Sequence, residues 1–363
     1  MKKISCIGWC NADDIMNYGQ ILQGMALMKL VNEYPYDNKY YLSYLPRGIK
    51  SWIKCIFHRY NPLSGHLFPY IRTSKIVNNF AKKNDIHLLQ INSYKELCAK
   101  AKDSNVLICG SDQLWHPSCF DKGYFLDIPG FKGKKYSYAV SLPKTQIEEQ
   151  YSDFYKKIKE YLKSFYYISL REKNSISLIK SLGVNNVTHS LDPTLLVEKC
   201  VWDEQVRYID IGNEPYIFVY IPNGVDEGIE SILEHVKRKY QLSTVFSIVT
   251  RGGNKIIGAK NLKYVDIGQF LYLIKNSSFV ITTSFHAVVF SIIFKREFLC
   301  YDYYNVSRGE DIRLKDLLIQ LGLKDRIILN NLIESTPIDY EKVEYRLDTM
   351  RNQSKQYLNR ILG

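Results

Sequence analysis

The stretch Phe279–Phe294, FVITTSFHAVVFSIIF, constrains the fold of this chain most. An apolar, β-branched run passes through small hydroxyl residues and one histidine into a second apolar run. The first run has the length and composition of a buried strand, the second those of a buried helix. A buried strand feeding directly into a buried helix belongs to a parallel sheet covered by helices. In such sheets ligands bind in the crevice at the carboxyl ends of the strands. A helix starting there points its first backbone N–H groups at the ligand. His286 is thereby placed where an anion would dock; a hydrogen-bonded core histidine is the alternative reading.

The same strand-and-helix rhythm runs through the rest of the chain, twice over. The first series begins at Ile4 and closes at Leu196; the second begins at Tyr216 and contains the opening stretch. This predicts an α/β fold of two Rossmann-like domains facing a cleft. The expected divisions are 1–196 for the first domain and 213–335 for the second. A charged amphipathic helix over 336–363 is expected to pack back on the first domain, and Val197 to Pro215 reads as the connection. No low-complexity segment and no repeat of 20 to 50 residues interrupts this order.

Several polar loops fall at predicted carboxyl ends of strands, where ligand contacts concentrate. After the first strand comes Asn11 to Gly19, in which Asn17, Tyr18 and Gly19 form either a ligand loop or a helix N-cap with a turn. A second such loop carries Gly110, Ser111, Asp112 and Gln113. Ser141 ends another strand, and Asp192 stands in Leu191 to Leu196. Arg171 is a cation at the same rim, suited to bidentate pairing with a carboxylate or phosphate. A salt bridge with Glu172 or a neighbour is the competing reading of Arg171. In the second series, Arg251 lies in a Gly-rich loop, and Ser284, Phe285 and Ala287 flank His286.

Composition removes several function classes. Of 363 residues, 46% are hydrophobic and 24% charged, so the chain is globular rather than disordered. The formal net charge of +12 is spread over short clusters. It favours an anionic partner, such as a phosphorylated metabolite, a bilayer surface or nucleic acid, or it marks only a basic solvated face. No nucleic-acid recognition module accompanies it, so no nucleic-acid partner is expected.

Eight cysteines form no CxxC pair and no metal-ligand rhythm, which predicts no metal and a reducing compartment. The N-terminus lacks the apolar region of a signal peptide, and no apolar run is long enough to span a bilayer. The expected location is cytoplasmic, with peripheral contact on the inner face of the cell membrane as the further option. That option comes from the basic and aromatic segment 46–70, which suits a membrane interface or an acceptor-binding lid and equally a packed insertion. There is no GxGxxG after the first strand and no Walker, HExxH or GxSxG motif. What remains is an arginine, a histidine, hydroxyls and helix N-termini, equipment for a small anionic substrate and a proton transfer.

Five segments in order carry a resemblance. Asn17-Tyr18-Gly19 with Leu22-Gln23, Gly110 to Trp115, Ser169 to Glu172, Leu191 to Leu196, and Ser284-Phe285-His286 together resemble the motifs of the polysaccharide pyruvyl transferase family. The resemblance spans about Ile4 to Leu321. It implies a two-domain fold of the glycosyltransferase-B type, no cofactor, and phosphoenolpyruvate as co-substrate. The acceptor it implies is a sugar with two free hydroxyls, on a cell-surface or capsular polysaccharide precursor, lipid-linked or not.

In that reading Arg171 holds the donor, and His286 steadies the phosphate or acts as general acid. Thr283 and Ala287 depart from the Asn and Gly associated with the family, and Ala keeps close approach to the backbone open. A nucleotide-sugar glycosyltransferase of the same fold is the first alternative. A non-catalytic carbohydrate- or membrane-binding protein is the second.

Overall fold

The computed structural model describes residues 1–10, 17–46, 67–222, 228–249, 255–301, 312–328 and 336–363. Residues 11–16, residues 47–66 of the insertion expected at 46–70, and Arg251 lie outside the described residues. The chain divides into two compact units, Met1–Val197 with Thr349–Gly363, and Glu198–Asp348.

The first unit is built on β1 (Lys3–Gly8), β2 (Asn38–Tyr44), β3 (Leu88–Ile91), β4 (Val106–Cys109) and β5 (Lys134–Ser137). They form one parallel sheet in the order β3-β2-β1-β4-β5. Two more parallel strands, β6 (Ile168–Leu170) and β7 (Val187–His189), extend it through bridges Tyr136–Tyr167 and Val140–Leu170. Its helices are α1 (Tyr18–Asn32), α2 (Leu67–Lys83), α3 (Tyr94–Ala101), α4 (Ser152–Leu162) and α5 (Ile176–Ser181). Strand β4, VLIC, is buried along its whole length, as expected where helices cover both faces. Helix α1 is buried on nearly every side, so its sequence lacks a polar stripe.

The second unit repeats the plan. Helix α6 (Lys199–Gln205) leads into β8 (Tyr216–Tyr220), α7 (Gly228–Tyr240), β9 (Thr244–Ile248), β10 (Lys260–Leu262) and α8 (Ile267–Lys275). Then follow β11 (Phe279–Thr282), α9 (Phe285–Ile293), β12 (Glu297–Tyr301), α10 (Ile312–Leu321) and β13 (Ile327–Ile328). The sheet is parallel throughout, in the order β10-β9-β8-β11-β12-β13. A capping box fixes the start of α8: Gln269 N donates to Asp266 Oδ1 at 2.8 Å, and Asp266 N donates to Gln269 Oε1 at 3.1 Å.

The stretch read from sequence as a plain connection contains α6. Its Trp202 is fully buried edge-on against Phe290 of α9, centroids 4.9 Å apart. That one side chain anchors an otherwise polar helix.

The last helix, α11 (Tyr340–Leu362), is continuous. Within the first unit its final turns are tied down by hydrogen bonds, among them three that involve main-chain groups. Leu191 N donates to Ser354 Oγ at 3.0 Å, Tyr357 OH to Ser137 O at 2.7 Å, and Arg351 Nε to Leu195 O at 2.8 Å. Burial of Leu358, Ile361 and Leu362 adds roughly 1.5–3 kcal/mol for each side chain.

Candidate active site

In each sheet the strand order reverses direction at one place, and there the connections leave to opposite faces and open a crevice at the strands' carboxyl ends. In the first unit that place lies between β1 and β4, in the second between β8 and β11. The Gly110 loop follows β4 and the His286 turn follows β11.

In the first unit β4 runs into Gly110, whose φ of +142° only glycine adopts at low cost. A Cβ there would lie 2.0 Å from the backbone oxygen of Tyr138. Ser111 follows: its N donates to Gln23 Oε1 at 3.2 Å, and its hydroxyl lies 3.0 Å from Ala139 O and 3.3 Å from Asp192 Oδ2. Asp112 also has a positive φ, +88°, and its carboxylate accepts from the Gln113 amide at 2.8 Å. Trp115 then plugs the loop into the core, its indole N–H donating to Tyr124 O at 3.0 Å and its ring stacked on Phe125.

Asn17 is the N-cap of α1, accepting from Gln20 N at 3.3 Å, so it satisfies the capping reading directly. Tyr18 and Gly19 are buried in the first turn. Gln23, fully buried one turn on, donates to Trp9 O at 3.2 Å and Tyr41 OH at 3.3 Å while accepting from Ser111. A single amide thus joins β2 to the ends of β1 and β4.

Arg171 is 5% exposed, and its guanidinium is engaged by two carboxylates. Nη1 donates to Asp192 Oδ2 at 2.9 Å and Nε to Glu172 Oε1 at 3.3 Å. Asp192 also accepts from Thr194 N at 3.1 Å and Thr194 Oγ1 at 2.6 Å. Glu172 accepts from Ser141 Oγ at 2.7 Å and Leu142 N at 3.0 Å. Ser111, Ser141, Arg171 and Asp192, all expected to touch substrate, are therefore brought together as one buried network. The Arg171 guanidinium thus lies between two protein carboxylates, the kind of salt bridge that is the competing reading of this residue. The network residues that sequence reasoning did not place in the site are Gln23, Glu172 and Thr194, although each lies inside a quoted motif.

In the second unit the strand-to-helix turn is stitched by hydroxyls. Thr282 Oγ1 donates to Tyr220 O at 2.5 Å, tying β11 to β8, and accepts from Ser284 N at 3.0 Å. Ser284 caps α9, its hydroxyl accepting from Ala287 N at 3.4 Å. His286 is 8% exposed with its ring edge-on to Phe285 at 5.2 Å, and Ala287 is fully buried. His286 therefore sits in the first turn of a helix at the crevice, where the positive end of the helix dipole favours an anion.

The family model of polysaccharide pyruvyl transferases matches residues 17–306. The chain belongs to the polysaccharide pyruvyl transferase family. It is thus a transferase of polysaccharide pyruvylation. No sequence among the curated proteins matches it.

Among solved structures, the chain is similar to S. aureus MnaA with UDP, at 12% identity and a TM-score of 0.59, covering 99% of this chain and 97% of the other. It is also similar to the UDP-GlcNAc 2-epimerase of Neisseria meningitidis bound to UDP-GlcNAc, at 10% identity and 0.56, covering 100% of both. The UDP-GlcNAc 2-epimerase of Methanocaldococcus jannaschii matches at 11% identity and 0.52, over 96% of this chain and 93% of that one. These likenesses show the fold: this pyruvyl transferase is α/β, with two Rossmann-like units of the glycosyltransferase-B kind.

Among the described residues no group of three His, Cys, Asp or Glu could hold a metal ion. No described helix is long and apolar enough to cross a membrane.

Proposed function

We propose that this member of the family transfers the pyruvyl group of phosphoenolpyruvate to two hydroxyls of one sugar, forming a cyclic ketal on a cell-surface polysaccharide precursor. The observation that carries the reading is His286 in the first turn of α9 at the crevice of its sheet, in a chain that the family model matches over residues 17–306. Phosphoenolpyruvate brings a carboxylate and a phosphate, and the positive end of a helix beside a histidine suits either.

In the reaction a proton goes to the methylene carbon, which becomes the methyl group. Two sugar oxygens bond to the adjacent carbon and lose their protons, and the carbon–oxygen bond to phosphate breaks, releasing inorganic phosphate. His286 donates the proton or steadies the departing phosphate. Loss of such a group slows an enzyme about 10²- to 10⁴-fold.

Arg171 acts one step back. Through Asp192 it holds Ser111 and the Gly110 loop, and through Glu172 it holds Ser141. A lipid-linked acceptor met at the inner face of the cell membrane is the form that the basic, aromatic composition of 46–70 supports.

The test is phosphate release from phosphoenolpyruvate with acceptor present, comparing wild type with His286→Ala. Unchanged turnover in the variant removes His286 from the mechanism. A second reading, transfer of a sugar from a nucleotide sugar, draws on relatives whose structures hold UDP or UDP-GlcNAc. Thermal stabilisation by UDP-GlcNAc and none by phosphoenolpyruvate would favour it.

A further inference from the structure

Three hydroxyl side chains follow one another in the turn between β11 and α9, and two of them are engaged. Thr282 Oγ1 binds Tyr220 O and Ser284 N, and Ser284 Oγ binds Ala287 N. Ser291, one helical turn beyond Ala287, donates its hydroxyl to Ala287 O at 2.8 Å. Thr283 differs. It is 5% exposed, and its Oγ1 is buried with no hydrogen-bond partner among the described residues. A buried hydroxyl without a partner destabilises the fold that contains it, and such groups are few in native proteins. This one stands at the amino end of a nine-residue helix, one residue before its cap and three before His286.

We propose that Thr283 is a substrate-binding residue, its hydroxyl donating to a carboxylate or phosphate oxygen of the donor bound at the amino end of α9. The inference rests on the phosphoenolpyruvate reading above and adds a contact to it. Packing alone does not call for threonine here, because valine has nearly the same shape and leaves no unmatched donor. The β-branch restricts χ1, so the hydroxyl is pre-set and loses little freedom on binding. A fixed donor, the positive end of a helix and a histidine are three groups of the kind an anion pairs with.

The experiment compares wild type, Thr283→Val and Thr283→Ser. Binding of phosphoenolpyruvate and, separately, of inorganic phosphate is measured by calorimetry, and the melting temperature is taken without ligand. Ligand-free T283V is expected to melt at or above the wild-type temperature, since it loses an unmatched polar group. Its affinity for phosphoenolpyruvate is expected to fall about tenfold to a hundredfold, as for loss of one hydrogen bond to a charged group. T283S restores most of that affinity.

Equal affinity in wild type and T283V overturns the inference. So does a ligand-free T283V that melts well below wild type, because the hydroxyl then serves the fold. A wild-type protein that binds neither phosphoenolpyruvate nor phosphate overturns the parent reading together with this one. Binding by wild type that T283V leaves untouched overturns this one alone.

Discussion

Arg171 donates through Nη1 to Asp192 Oδ2 at 2.9 Å, and neither side chain is more than 3% exposed. A buried pair of this kind is costly to break, because removing one member strands the other charge. Asp192→Ala should therefore lower the unfolding free energy by about 3–5 kcal/mol in urea denaturation.

Arg171→Lys keeps the charge and loses the planar fork that reaches Asp192 and Glu172 together. The expected result is a lower kcat with the KM for phosphoenolpyruvate nearly unchanged, together with reduced stability. A raised KM at wild-type stability would give Arg171 a direct contact with the donor.

Gly110→Ala meets two obstacles at once, the φ of +142° and a carbonyl oxygen 2.0 Å from the added carbon. The backbone conformation alone costs on the order of 1–3 kcal/mol, and the contact adds to it. Denaturation should show a loss of at least about 2 kcal/mol; a change within about 0.5 kcal/mol would mean that the loop shifts freely.

Alkaline pH should destabilise the first unit through its buried acids. Burial pushes the thiols of Cys6 and Cys10 from 9.0 up to about 12, and it raises the hydroxyl of Tyr41 beside them well above its ordinary value. In the unfolded chain these thiols ionise near their ordinary value, whereas in the fold they stay protonated. Their contribution is complete below pH 9 and is lost as the pH climbs toward 12. Denaturation midpoints should thus fall across that window, and Cys6→Ala should reduce the slope. A stability that is level through it contradicts the burial of these groups.

The sheets are legible in sequence because β1, β4, β8 and β11 are short apolar runs that end in polar loops, so the local pattern alone marks them. His286 is legible for the same reason, as a ring nitrogen base set between two apolar runs. The framework is less so. Gln23 meets Ser111 across 88 residues of chain and Glu172 meets Ser141 across 31, and no local periodicity carries a contact at such separations. Ser141 and Asp192 look like rim residues by position, yet their polar atoms turn inward to Glu172, Arg171 and Thr194. Helix α6 escapes notice because its seven residues hold a single large apolar anchor, Trp202. Thr283 reads as one of several turn hydroxyls until its neighbours' hydrogen bonds are known.

The most direct test of pyruvyl transfer is mass measurement of a small panel of galactosides, mannosides and N-acetylhexosamines after incubation with phosphoenolpyruvate and the wild-type or His286→Ala protein. The expected result is a pyruvate ketal on one sugar class, one inorganic phosphate released per ketal, and formation slowed about 10²- to 10⁴-fold in the variant. Ketal formation at the wild-type rate by His286→Ala, or sugar transfer from a nucleotide sugar with no ketal formed, would contradict it.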